Sequence, residues 1–143
     1  MKQMNKDELL DCVFQGDLET VKKVIAETDG PGVNFVCDKL NATPLIIAID
    51  SRFPAMVEVL LMNGADPDFT QPGLSLPLYH VIELAEEAAD YQETDNPDLL
   101  EMIRLLMEYE AQANLLNFNG TSPFEYAENR YLPALQIINN YMK

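Results

Sequence analysis

A short motif that recurs at a near-constant interval constrains this chain more than its composition does. Thr43-Pro44-Leu45 returns as Leu76-Pro77-Leu78 after 33 residues, and as Ser122-Pro123-Phe124 after a further 46, which is one interval plus 13. A period of this size marks stacked supersecondary units, none of which can bury its apolar face alone. The clearest unit starts at the first occurrence. Thr43 suits a helix N-cap, and Pro44 falls in the first turn, where a missing N–H costs nothing. Leu45, Ala48 and Ile49 share one helical face, with Ala48 small where paired helices of adjacent units come close. Phe53-Pro54 turns the chain into a second helix carrying Val57, Leu60 and Leu61, and Gly64 supplies the left-handed residue that ends it. Units of this kind build binding surfaces more often than catalytic ones.

Weaker copies flank this one, and all fit a single domain over 1–143 with units at about 5–37, 38–70, 71–116 and 117–143. In the first, Asn5 or Asp7 caps a helix carrying Leu9, Leu10 and Val13, and Gly16-Asp17 passes the chain to a second with Leu18, Val21, Val24 and Ile25 as its stripe. Asp29-Gly30-Pro31-Gly32 then breaks the helix. The third unit carries the 13-residue excess between a helix from Leu76 to Ala85 and another from Leu99 to Met107. The spacing predicts that the first of these continues to about Tyr91, with a turn at Thr94 to Pro97. Loop closure makes such an insertion cost only about 1 kcal/mol or less. In the fourth unit Leu132, Leu135, Ile137 and Ile138 form the closing helix.

Three segments share one register: Ala42-Thr-Pro-Leu-Ile-Ile-Ala48, Val57-Glu-Val-Leu-Leu-Met-Asn-Gly-Ala-Asp66 and Gly120-Thr-Ser-Pro-Phe-Glu-Tyr-Ala127. Together they resemble the ankyrin-repeat family, over roughly Asp7 to Lys143. The resemblance implies an all-α fold, an ankyrin-repeat solenoid of about four helix-turn-helix units with short extended fingers and a long insertion in the third. The family usually places a histidine after Thr-Pro-Leu to tie neighbouring units together. Ile46, Tyr79 and Glu125 stand there instead, which leaves the stack to apolar packing.

In ankyrin-like proteins the partner meets the finger tips and the inner ends of the first helices. By register the tips are Lys39, Leu40, Ala42, Pro72, Gly73, Ser75, Phe118, Asn119 and Thr121. The helix ends are Phe14 and Gln15, Asp50 and Ser51, Glu83 and Leu84, Asn129 and Arg130. Phe14, Leu40, Leu84 and Phe118 are apolar where water is expected, and clustered apolar anchors dominate interfaces. The plainer reading packs each on its neighbouring finger.

Charge adds direction. The chain has 24 acidic and 9 basic residues, a net charge of −15, which repels nucleic acid and anionic membranes and favours a basic protein partner. Between Arg52 and Arg104 there are 11 acids and no Lys or Arg, with eight of the acids from Glu83 to Glu101. Such a run is either a solvated face or a surface that steers a cationic partner, through Glu86, Glu87, Asp90 and Glu93 in particular.

Chemistry has little support. Six scattered glycines form no phosphate loop, and no Cys or His cluster has metal spacing, so neither cofactor nor metal is expected. His80 shares a helix face with Glu83 and Glu87, which makes two ligand types without a third site. No carboxylate pair stands in an apolar setting that would raise one pKa. Cys12 and Cys37 read as free thiols in a reducing, cytoplasmic setting, and no apolar run is long enough to span a membrane. The leading expectation is a monomeric, non-enzymatic inhibitor: an acidic immunity protein that occludes a basic toxin or effector domain such as a nuclease. The alternative is a general adaptor, and a carboxylate-dependent hydrolase is the outsider.

Overall fold

The computed structural model describes residues 2–3, 5–29, 32–92 and 94–142. The chain divides into two compact units, Met1–Asp66 and Pro67–Lys143. The first holds α1 (Lys6–Gln15), α2 (Leu18–Glu27), α3 (Pro44–Asp50) and α4 (Pro54–Met62). Its remaining regular structure is a two-residue parallel pairing of β1 (Lys2–Gln3) with β2 (Thr28–Asp29). The second holds α5 (Pro77–Gln92), α6 (Pro97–Glu108), α7 (Pro123–Arg130) and α8 (Leu132–Tyr141). The fold is all-α.

Short polar side chains start most of these helices by accepting an orphan backbone N–H. Asn5 accepts from the Glu8 amide at 3.1 Å, Thr43 from Ile46 at 3.1 Å, and Ser122 from Glu125 at 3.1 Å. Asp17 takes both the amide and the hydroxyl of Thr20, and those bonds hold its carboxyl below the ordinary range. Asn96 receives two amides, Asp98 at 3.0 Å and Leu99 at 3.1 Å. Helix endings are less uniform. Gly64 closes α4 at φ 97°, and Glu110 occupies the matching place after α6 at φ 71°.

In the first unit α1 packs on α2 and α3, and α4 on α2 and α3. Leu9, Val13, Val21, Ala48, Ile49, Met56, Val57 and Leu60 are wholly or almost wholly buried between them. In the second, α5 packs on α6 and α7, and α8 on α6 and α7, around Leu78, Ile82, Leu99, Met102, Ile103, Leu106 and Ile138. Each large side chain so buried contributes about 1.5–3 kcal/mol. One polar device occurs in both units. Asn34 accepts from the Asp66 amide at 2.7 Å and donates to Gly64 O at 2.9 Å, and Asp68 accepts from the Gln112 amide at 2.9 Å. Residues 66 and 112 hold the same register, so each linker is pinned to the segment that follows a second helix.

The excess residues lengthen a hairpin. They run α5 on to Gln92 and place the turn just before Pro97, close to the expected positions. Three expectations about side chains need correction. Leu132 is exposed rather than core, because Ala134 and Ile138 take the inward face of α8, with Leu135 and Ile137 half-buried. Leu18 and Ile25 are also only half-buried, leaving Val21 and Val24 as the buried residues of α2. Ala42 is buried instead of lying at a finger tip, since its carbonyl accepts from the Cys37 amide at 2.8 Å and folds the finger back on itself. Gly30, Pro31, Glu93 and Lys143 lie outside the described residues.

Candidate functional site

The fingers of the second unit are held by local hydrogen bonds. Thr70 Oγ1 donates to Leu74 O at 2.6 Å, and the Leu74 amide donates to Gln71 O at 2.9 Å. Gly73 turns this finger at φ 86°. In the next finger the Asn117 side chain accepts from the amides of Asn119 at 2.9 Å and Thr121 at 3.0 Å, while its own amide donates to Thr121 O at 2.9 Å. Gly120 completes the turn at φ 77°.

Between the two fingers lies a groove of about 290 Å³. Leu74 and Leu76 are buried in its lining. Leu116 and Phe118 stand at its edge, 60% and 67% exposed. Gly73, Ser75, Asn117 and Asn119 supply polar lining. Large apolar side chains left this open beside a concave surface mark a candidate binding site. The structure therefore brings together Gly73, Ser75, Phe118 and Asn119 from the register-derived set. Leu116 was missed, although Leu115-Leu116 puts two apolar residues in a finger whose tip should be polar.

The remaining positions are dispersed. In the first unit Lys39 and Leu40 stand exposed at a tip where Asn41 takes φ 49°, and Phe14, Gln15, Asp50 and Ser51 are exposed at helix ends. In the second, Leu84 and Glu83 are half-buried, whereas Asn129, Arg130, Glu87 and Asp90 are exposed.

Glu86 is not the solvated acid its neighbours suggest. Only 8% exposed, it accepts from the Tyr126 hydroxyl and from Arg130, Nε at 3.1 Å and Nη2 at 2.9 Å. Tyr79 packs against Tyr126 with ring centroids 4.8 Å apart, and Arg130 lies over the Tyr126 ring. Burial, then the bond and charge of Glu86, push the Tyr126 phenol well above its ordinary value. Glu86 in turn raises the Arg130 guanidinium. The absent histidine network thus has a substitute: a polar cluster joins α5 to α7, where apolar packing alone was expected. Glu83 is a second surprise, since its partial burial raises a carboxyl pKa, opposed by His80 and assisted by Glu87 and Glu86.

The Tyr131 hydroxyl donates to Asp95 at 2.7 Å, which fastens the α5–α6 turn to the start of α8. Among the described residues no group of three or more His, Cys, Asp or Glu could hold a metal, and no helix is long and apolar enough to cross a membrane. Cys12 and Cys37 are free thiols, the first buried and raised in pKa by that burial.

Paired helices linked by fingers, with an open groove between two of those fingers, define a helical-repeat fold. The particular kind follows from comparison. A family profile described as ankyrin repeat matches residues 41–71. Among solved structures the chain is similar to the ankyrin repeat domain of Bcl-3, described as a unique member of the IkappaB protein family. The TM-score is 0.72 at 23% identity, covering 95% of this chain and 54% of that one. This chain thus spans about half the length of that domain, and a likeness at such identity establishes the fold. No curated protein matches the sequence. The chain has an ankyrin-repeat fold, and its residues 41–71 match the ankyrin-repeat family.

Proposed function

We propose that this chain is a non-catalytic module that binds another protein through the finger groove of its second unit, in the manner of an adaptor. The single observation behind this reading is the exposure of Leu116 and Phe118 beside the buried Leu74 and Leu76. A groove of about 290 Å³ is the size of a small ligand pocket or of one or two apolar side chains from a partner. The net charge of −15 favours a basic protein. Co-purification with such a partner, followed by Phe118→Ala, tests the reading. Loss of about tenfold or more in affinity is expected, as for a central interface anchor. An unchanged Kd in a folded variant would sink it.

A second reading keeps the inhibitor idea: Glu87, Asp90 and Glu93 would take phosphate-like positions in the substrate groove of a basic toxin. The charge run supports it, with Glu93 outside the described residues and Glu86 withdrawn into the Tyr126–Arg130 cluster. Neutralising Glu87 and Asp90 should abolish inhibition on this reading, whereas on the first the groove contact survives that change and is lost with Phe118→Ala.

A further inference from the structure

Helix α5 turns the outer face of its last two turns to solvent. Its inward side chains are Val81, Ile82, Ala85 and Ala88, and the opposite face presents Glu87, Asp90 and Tyr91. These three stand at i, i+3 and i+4 and so form one contiguous patch. Tyr91 is 90% exposed, more than Phe118 or any other large apolar side chain that stands open to solvent. It is carried on helix rather than loop, and the residues that lead into α6 are held by the Asn96 cap and the Tyr131–Asp95 bond. At 1.5 Å per residue the patch lies about 20 Å along α5 from the finger groove at the helix start. It is a separate surface.

The charge around this patch is predominantly negative. The second unit has 13 acidic and 3 basic residues. Its two described arginines are already engaged, Arg104 with Glu101 at 2.7 Å and Arg130 with Glu86 at 2.9 Å. Arg130 feels the charge of Asp90, yet its hydrogen bonds go to Glu86. The last turn of α5 contains no basic residue, although a helix C-terminus favours a cation. A partner that supplies positive charge meets an aromatic face, two carboxylates and the negative end of a helix together.

Resting on the protein-binding reading above, we infer that the outer end of the α5–α6 hairpin is a second docking surface that receives an arginine-bearing segment of a basic partner. The guanidinium lies on the Tyr91 ring, with the Glu87 and Asp90 carboxylates beside it. Arginine fits better than lysine because its planar, weakly hydrated group stacks on a ring while its fork of donors meets carboxylates. A module with an apolar groove at one end of α5 and this surface at the other can hold two segments at once.

The test uses the full chain, with an arginine-rich and a lysine-rich decapeptide of equal charge as probes, followed by calorimetry and amide NMR shifts. The arginine peptide should bind more tightly and shift amides from Glu83 to Tyr91. Tyr91→Ala should weaken it by about threefold or more, with little effect on the lysine peptide. Glu87→Gln with Asp90→Asn should weaken both. Phe118→Ala should leave both unchanged, so failure of the groove reading registers separately in the partner assay. Equal affinity for the two peptides, a Tyr91→Ala variant that binds as the parent does, or shifts spread over the acids of both units would overturn the inference. So would calcium ions shifting the same amides with equal strength in the Tyr91→Ala variant.

Discussion

Glu110 holds a backbone conformation that side chains with a Cβ avoid. Its φ of 71° follows α6 at the place where Gly64, at φ 97°, follows α4. For a residue other than glycine the left-handed region costs about 1–2 kcal/mol. Glycine would return some of that through the greater freedom of the unfolded chain, about 0.4–1 kcal/mol. Glu110→Gly should therefore raise stability by about 0.5–1 kcal/mol, read as a higher urea midpoint at unchanged slope. Gly64→Ala should lower it by about 1 kcal/mol or more through backbone strain alone, because a Cβ there meets nothing within 4 Å. If both variants unfold with the parent, neither position is strained.

Among the elements, the α5–α7 connection is the most exposed to test. Tyr126→Phe removes a hydroxyl that donates to a buried carboxylate, a loss of about 1–2 kcal/mol at neutral pH. The phenol is raised in the folded chain, first by burial and then by Glu86. Its contribution is complete below the ordinary phenol value of 10.0 and falls away as pH rises through the raised one. Urea unfolding across alkaline pH should thus show a steeper decline for the parent than for Tyr126→Phe, with Tyr131, Tyr79 and Cys12, each raised first by burial, contributing to what remains. This cluster was not legible in the sequence. Glu86 sits inside an acidic run and its partners lie 40 and 44 residues away, so local pattern marks it as solvated. The helices were legible because their signals are local: Thr43-Pro44 and Ser122-Pro123 each combine a cap with a first-turn proline. Side-chain direction was less so. Leu132 lies at the start of α8, where Ala134 and Ile138 decide which face turns inward. Of the groove, Gly73, Ser75, Phe118 and Asn119 came from register, whereas Leu116 needed the approach of two fingers.

For the molecule as a whole, self-repulsion is the dominant electrostatic term. The formal charge is −15, and the 77 residues from Pro67 hold 13 acids against 3 bases. Screening should relieve that repulsion, so the thermal midpoint is expected to rise by a few degrees between about 20 mM and 500 mM NaCl. Binding to a basic partner should weaken over the same range. Opposite responses to one variable separate fold from interface, and a midpoint that falls with salt would show that attractive ion pairs outweigh the repulsion. The Glu86–Tyr126–Arg130 cluster carries a last consequence, for engineering. Ankyrin arrays are commonly treated as interchangeable bricks, but here a carboxylate from one hairpin finds its donors on the next. Transplanting the closing hairpin elsewhere, or replacing it with a consensus version, would strand Glu86 without donors in a dry setting. The last two hairpins of this chain can be cut and spliced only as a pair.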